Sequence, residues 1–111
     1  LFDAGTALSG CGPGFVFRFI DAFAQAGVAV GLPEDQARRL ATATVDGASQ
    51  MAAEADETPG VLADRVASPG GSTREGMNVL DDSDSLNKLM AKTLTASRDR
   101  NQELAAAARG E

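Results

Sequence analysis

The chain has 111 residues, enough for one domain with one modest core, since a chain this size buries roughly two-thirds of its unfolded surface. Lys and Arg number 10 and Asp and Glu 16, a net charge of −6 that argues against nucleic acid and anionic membrane as partners, because both require a basic footprint. There are no histidines and one cysteine, Cys11, which excludes a Ser-His-Asp triad, a Cys-His dyad, the usual zinc sites and an internal disulfide.

No apolar run approaches the ~18 residues of a membrane span. The opening Leu1-Phe2-Asp3-Ala4 carries no basic n-region, so nothing points to secretion and a cytoplasmic location is expected. The start without methionine suggests a piece cut from a longer chain.

In chain order, the first segment ends in the small-residue stretch Ser9-Gly10-Cys11-Gly12-Pro13-Gly14. A helix is expected from Pro13, suited to a first helical position, to Val30, stopped by Gly31-Leu32-Pro33. Four of the five phenylalanines fall in it: Phe15, Phe17, Phe19 and Phe23. With Val16, Ile20, Val28 and Val30 they cover most of the cylinder, and Arg18, Asp21 and Gln25 leave a narrow polar stripe. A helix apolar nearly all round must be buried nearly all round. A small helical domain offers few places for that within one chain, so the residues themselves point to a second subunit packing on this helix.

The second helix, about Glu34 to Ala55, is one-sided. Ala37, Leu40, Ala41, Thr44, Ala48, Met51, Ala52 and Ala55 recur at steps of three and four, with Arg38, Thr42, Asp46, Gln50 and Glu54 opposite. Glu34 and Asp35 suit its first turn, where the helix dipole favours acids. A short helix follows, with Thr58 as N-cap, Pro59 at the first position, and Leu62 and Val66 on its apolar face. Arg74 to Leu80 reads as another, capped by Ser72 with Glu75 three residues later. The last helix runs from about Ser85 to Arg109, with apolar Leu86, Leu89, Met90, Leu94 and Leu104, and stops at Gly110. No alternating strand pattern is present. The expected fold is all-α, about five helices in a single domain over residues 1–111.

Two glycine-rich stretches could carry chemistry. In Ser68-Pro69-Gly70-Gly71-Ser72-Thr73, Pro69 ends one helix and Gly70-Gly71 permits positive φ and close approach to a ligand. The first N–H groups of the next helix then sit at the positive end of its dipole, a small anion site suited to a carboxylate. Local chemistry by itself favours the plainer reading, a tight connection between helices. Ser9–Gly14 does not match the dinucleotide fingerprint and no strand precedes it, so it reads as a hinge. Cys11 lacks a histidine partner and reads as an inert small residue. Asp81, Asp82 and Asp84 lack the glycine and distal glutamate of a calcium loop and read as a solvated turn that caps the last helix.

Several of these stretches together resemble the C-terminal domain of pyrroline-5-carboxylate reductases. Ser9-Gly10-Cys11-Gly12-Pro13-Gly14-Phe15 is similar to the family's Ser-Gly-Ser-Gly-Pro-Ala-Tyr opening, and Gly27-Val28 with Gly31-Leu32-Pro33 to its first turn. Leu62-Ala63-Asp64-Arg65-Val66-Ala67-Ser68-Pro69-Gly70-Gly71-Ser72-Thr73 resembles its signature, and Gly76 keeps a small position. The resemblance covers essentially the whole chain in order. Departures are Cys11 for a common serine, Phe15 for a common tyrosine, Arg74 and Glu75 where an apolar residue is usual, and Met77 for a branched aliphatic.

The resemblance implies an N-terminal Rossmann domain, absent from these residues, that binds NADPH or NADH. It implies a helical domain intertwined with a twofold mate, a homodimer that assembles further into rings such as decamers. The reaction is hydride transfer to the C5 imine carbon of 1-pyrroline-5-carboxylate, giving L-proline. Carried over by position, Ser68, Gly70, Gly71, Ser72 and Thr73 form the substrate-carboxylate loop. Val66 lies beside the ring and the Thr73 hydroxyl near the ring nitrogen, as the catalytic residue. The rival readings are a stand-alone helical dimerisation module without catalytic activity and a reductase of another imine or hydroxyacid. No metal or nucleic acid is expected.

Overall fold

Among the residues that the computed structural model describes, 4–110, every regular element is helical and none is a strand, as the periodicity requires. The reading of the opening at Leu1–Asp3 and the last residue, Glu111, lie outside the described residues. The chain divides into two compact units, Gly14–Pro69 and a second made of Leu1–Pro13 with Gly70–Glu111.

The Gly14–Pro69 unit holds most of α2 (Gly12–Ala29), all of α3 (Glu34–Glu54) and α4 (Pro59–Arg65). α2 stops by a Schellman motif. Gly31 adopts φ +120°, its N–H donates to the Val28 carbonyl at 3.0 Å, and the Leu32 N–H donates to the Gly27 carbonyl at 3.0 Å. Leu32 then folds its side chain back over Gly27. Pro33 in extended conformation starts α3, with Glu34 and Asp35 in its first turn as expected. Ala37 and Ala41 are the buried residues of α3, so the alanine face seats the helix closely against α2. The outer face is laced by local bonds, including Gln50 Nε2 to Asp46 Oδ1 at 2.9 Å. Arg38 pairs with Asp35 three residues before it. The polar stripe of α2 is also as expected, with Gln25 Nε2 donating to Asp21 Oδ2 at 2.7 Å.

The second unit begins with the single turn α1 (Ala4–Thr6) and a π-helical segment, Ala7–Cys11, that runs into the start of α2. The expected hinge at Ser9–Gly14 is therefore not a break. Pro13 is the second residue of α2 instead of its first, inside a continuous helical run. It cannot donate to the carbonyl four residues back and its ring crowds that carbonyl. The wider π turns accommodate both effects, and the Ser9 hydroxyl adds a bond to the Gly5 carbonyl at 3.0 Å.

α5 (Ser72–Asp81), a 3₁₀ turn (Asp82–Asp84) and α6 (Ser85–Ala108) complete this unit. Ala7, 1% exposed, faces α6 across a cavity of about 90 Å³ lined by Ala4, Leu94, Thr95 and Arg98. Half-buried positions on α6 recur at Leu94, Ser97, Arg98, Asn101 and Ala105. Leu89, Met90 and Leu104, expected on the apolar face with Leu86 and Leu94, are exposed. Asp84 stands at the N-cap of α6 with left-handed backbone, but its carboxylate accepts from the Asn87 side chain at 2.8 Å and not from a backbone N–H.

Candidate functional site

α4 ends at Val66, the first of the singled-out residues. The Val66 N–H donates back to the carbonyls of Leu62 and Asp64, which closes the helix with Val66 as its C-cap, 65% exposed. Ala67 is 2% exposed and anchors the strand of chain that follows, while Ser68 and Pro69 are exposed. The helix begins as the sequence indicates, with Thr58 Oγ1 accepting the Val61 N–H at 3.3 Å and Pro59 at the first position.

Gly70, Gly71, Ser72 and Thr73 come together at the head of α5, in the other unit. Gly70 has φ +74°, in open space where an added Cβ would meet nothing within 4 Å. Backbone conformation, and not crowding, is therefore what demands glycine there. The N-cap of α5 is Gly71 in extended conformation, not Ser72, and no side chain caps the helix. Ser72 is already the first helical residue, because the chain turns into the helix one residue early and the Ser72–Glu75 capping box cannot form. The first helical bond is donated by Glu75 to the Gly71 carbonyl at 3.0 Å. The N–H groups of Ser72 and Thr73 precede it, have no acceptor within α5 and lie at the positive end of its dipole. Both residues are exposed. The head of a ten-residue helix so arranged can take a carboxylate.

A second feature lies wholly within the Gly14–Pro69 unit. α2 has no buried residue: Phe17 is 70% exposed, Phe19 51% and Phe23 44%. Phe19 and Phe23 pack on each other, ring centroids 5.6 Å apart. Among the described residues the buried apolar ones, Ala7, Ala37, Ala41 and Ala67, are alanines. The large apolar side chains of α2 thus stay largely exposed, as expected of a helix that packs on a second subunit. Between α2 and α3 runs a groove of about 570 Å³ whose walls include Phe17, Ile20 and Val28 with Asp21, Gln25, Arg38 and Thr42. Sequence periodicity placed Arg38 and Thr42 on a plain solvent face. Their sharing a groove with Phe17 depends on how the two helices cross, for which one helix's pattern carries no signal.

Ser9–Gly14 is spent differently. Its backbone is wound into the π segment and the first turn of α2, so its N–H groups serve the helix and do not cradle a phosphate. Cys11 is half-buried and unpaired by any disulfide. Among the described residues no helix is long and apolar enough to cross a membrane.

Comparison with known proteins bears on the second of these features. The family model described as pyrroline-5-carboxylate reductase dimerisation matches residues 1–104. The chain is 44% identical over 104 residues to a pyrroline-5-carboxylate reductase of Arabidopsis thaliana, a match that covers 94% of this chain and 37% of that protein. It is 50% identical over 82 residues to the one from Aquifex aeolicus, with 74% of this chain and 31% of that protein covered. Among solved structures, a pyrroline-5-carboxylate reductase from Coxiella burnetii superposes with a TM-score of 0.85 at 38% identity, covering 91% of this chain and 37% of that one. The Plasmodium falciparum pyrroline carboxylate reductase with NADP bound does so at 0.81 and 32%, covering 87% of this chain and 37% of that one. The chain thus spans roughly a third of the length of the relatives it matches. A match from residue 1 to residue 104, on a chain whose most apolar helix keeps its phenylalanines largely exposed, leaves one assignment: this chain belongs to the pyrroline-5-carboxylate reductase dimerisation family.

Proposed function

We propose that this chain is the dimer-forming, substrate-binding domain, residues 1–111, of an enzyme that reduces 1-pyrroline-5-carboxylate to L-proline with NADPH or NADH. The observation that carries the reading is the head of α5, where Gly70 turns the chain at φ +74° and the N–H groups of Ser72 and Thr73 precede the first helical bond. The substrate carboxylate would rest on the N–H groups of Gly71, Ser72 and Thr73, with Ser68 and Gly70 shaping the loop. The Thr73 hydroxyl would stand near the ring nitrogen, orienting the imine or relaying its proton, and Val66 would lie beside the ring. The nicotinamide supplies the hydride when bound. Among the described residues there is no strand-turn-helix unit for it, and in this reading the cofactor would be held mainly by another domain. No side chain of the loop has to act as a strong acid or base. The contribution of these residues is orientation, which is worth several kcal/mol, up to about 10, when reacting groups are held in line.

The exposed apolar surface of α2 supports a homodimer in which a second copy covers Phe17 and its neighbours. Dimers would assemble further, as far as decamers, in the cytoplasm. The test is to assay the complete protein with 1-pyrroline-5-carboxylate and each nicotinamide cofactor. Substrate-dependent oxidation with formation of proline is expected, and its absence with both cofactors would refute the reading. Residues 1–111 alone should oxidise neither cofactor.

A further inference from the structure

α4 is seven residues long, has no buried residue, and yet ends on Val66, the residue assigned to the substrate ring. A helix this short does not persist on its own, because one nucleus must be repaid by very few bonds. Local devices hold its ends. Thr58 caps the start, with Pro59 behind it, and the buried Ala67 pins the chain beyond the end. A third device joins the two ends. Arg65 Nη1, in the last turn, meets Glu57 Oε1, ahead of the N-cap, at 3.0 Å across eight residues. This is unlike the neighbouring ion pair of Arg38 with Asp35, which spans a single turn and constrains nothing beyond its own helix. Arg65 is bonded in sequence to Val66, so the pair ties the backbone bearing Val66 to the chain entering the helix.

Resting on the function proposed above, we propose that Glu57 and Arg65 form a clamp that positions Val66 against the ring of the substrate. Neither side chain touches substrate or cofactor in this scheme; both act through the placement of α4. The pair is partly exposed, at 40% for Glu57 and 59% for Arg65, so its effect is modest and resides in binding.

The experiment measures steady-state kinetics of the complete protein as wild type, Glu57→Gln, Arg65→Gln and the charge-swapped double variant Glu57→Arg/Arg65→Glu. Each single variant is expected to raise KM for 1-pyrroline-5-carboxylate about threefold, the scale of one exposed ion pair, with kcat within about twofold of wild type. The swapped pair should recover most of the loss, and Arg65→Lys, which keeps the charge, should stay close to wild type. Unchanged KM in both single variants overturns the clamp, as does a double variant whose losses simply add. An inactive wild type overturns the functional reading and the clamp together. An active wild type with unmoved variants overturns the clamp alone. Should one single variant fail to fold, the other and Arg65→Lys decide between the same outcomes.

Discussion

Gly27 and Ala37 meet so closely that a Cβ built on Gly27 would lie 3.3 Å from the Ala37 Cβ. The same Cβ would be 3.3 Å from Leu32 Cδ1, so the last turn of α2, the turn itself and the first turn of α3 converge on one missing side chain. Ala37 is 2% exposed as a result. Gly27→Val should therefore force α2 and α3 apart and destabilise the fold by about 1–3 kcal/mol, the range for overpacking. Thermal unfolding of the two proteins at equal concentration checks this, and an unchanged midpoint would contradict the close approach.

Ser83 and Asp84 carry φ of 54° and 58° in succession, at the junction of α5 and α6. Left-handed backbone is unfavourable for residues with a Cβ, by about 1 kcal/mol each. Ser83→Gly should accordingly stabilise the protein by up to ~1 kcal/mol, offset in part by the added freedom of the unfolded chain. Urea unfolding measures it, and a lower midpoint would mean the Ser83 side chain contributes more than its backbone conformation loses.

The exposed Phe17 offers a direct test of the dimer. It makes little contact within its own chain, at 70% exposed, so Phe17→Asp should leave helicity intact. If a second copy covers it, the substitution buries a charge at the interface and weakens association by at least about 30-fold, equivalent to ~2 kcal/mol. Light scattering across a dilution series, with circular dichroism as the control for folding, reads both quantities. A variant that remains dimeric at every concentration would move the interface elsewhere.

Thr73 sits second in α5 with its side chain exposed. Thr73→Val keeps the shape and removes the hydroxyl. In the complete enzyme, kcat/KM should fall by about 10- to 100-fold, the scale of one lost transition-state hydrogen bond. Equal kinetics in the two proteins would remove the hydroxyl from the reaction and leave only the backbone of this loop in the site.

Thr58→Ala isolates the cap of α4. Loss of the bond from the Val61 N–H should cost about 1 kcal/mol of stability, measured by denaturant unfolding.

What the sequence by itself determined were the features set within a turn or two of chain. The all-helical class, the ends of α3, the stop of α2 at Gly31-Leu32-Pro33 and the Thr58-Pro59 start of α4 all follow from periodicity, caps and glycine, whose physics is local. The turn at Gly70 and the helix start that follows were legible for the same reason, since the glycines and the helix lie side by side in the chain. Tertiary structure decided the rest. Ser9–Gly14, rich in glycine and read as a hinge, is helical, because the π segment brings Ala7 to α6, a contact distant in sequence that outweighs local flexibility. The one-residue shift of the α5 cap from Ser72 to Gly71 and the left-handed pair at Ser83–Asp84 likewise answer to where neighbouring helices must start. The groove that joins Phe17 to Arg38 exists through the crossing of two helices, and crossing angles are set by packing between surfaces, which one helix's own pattern does not encode.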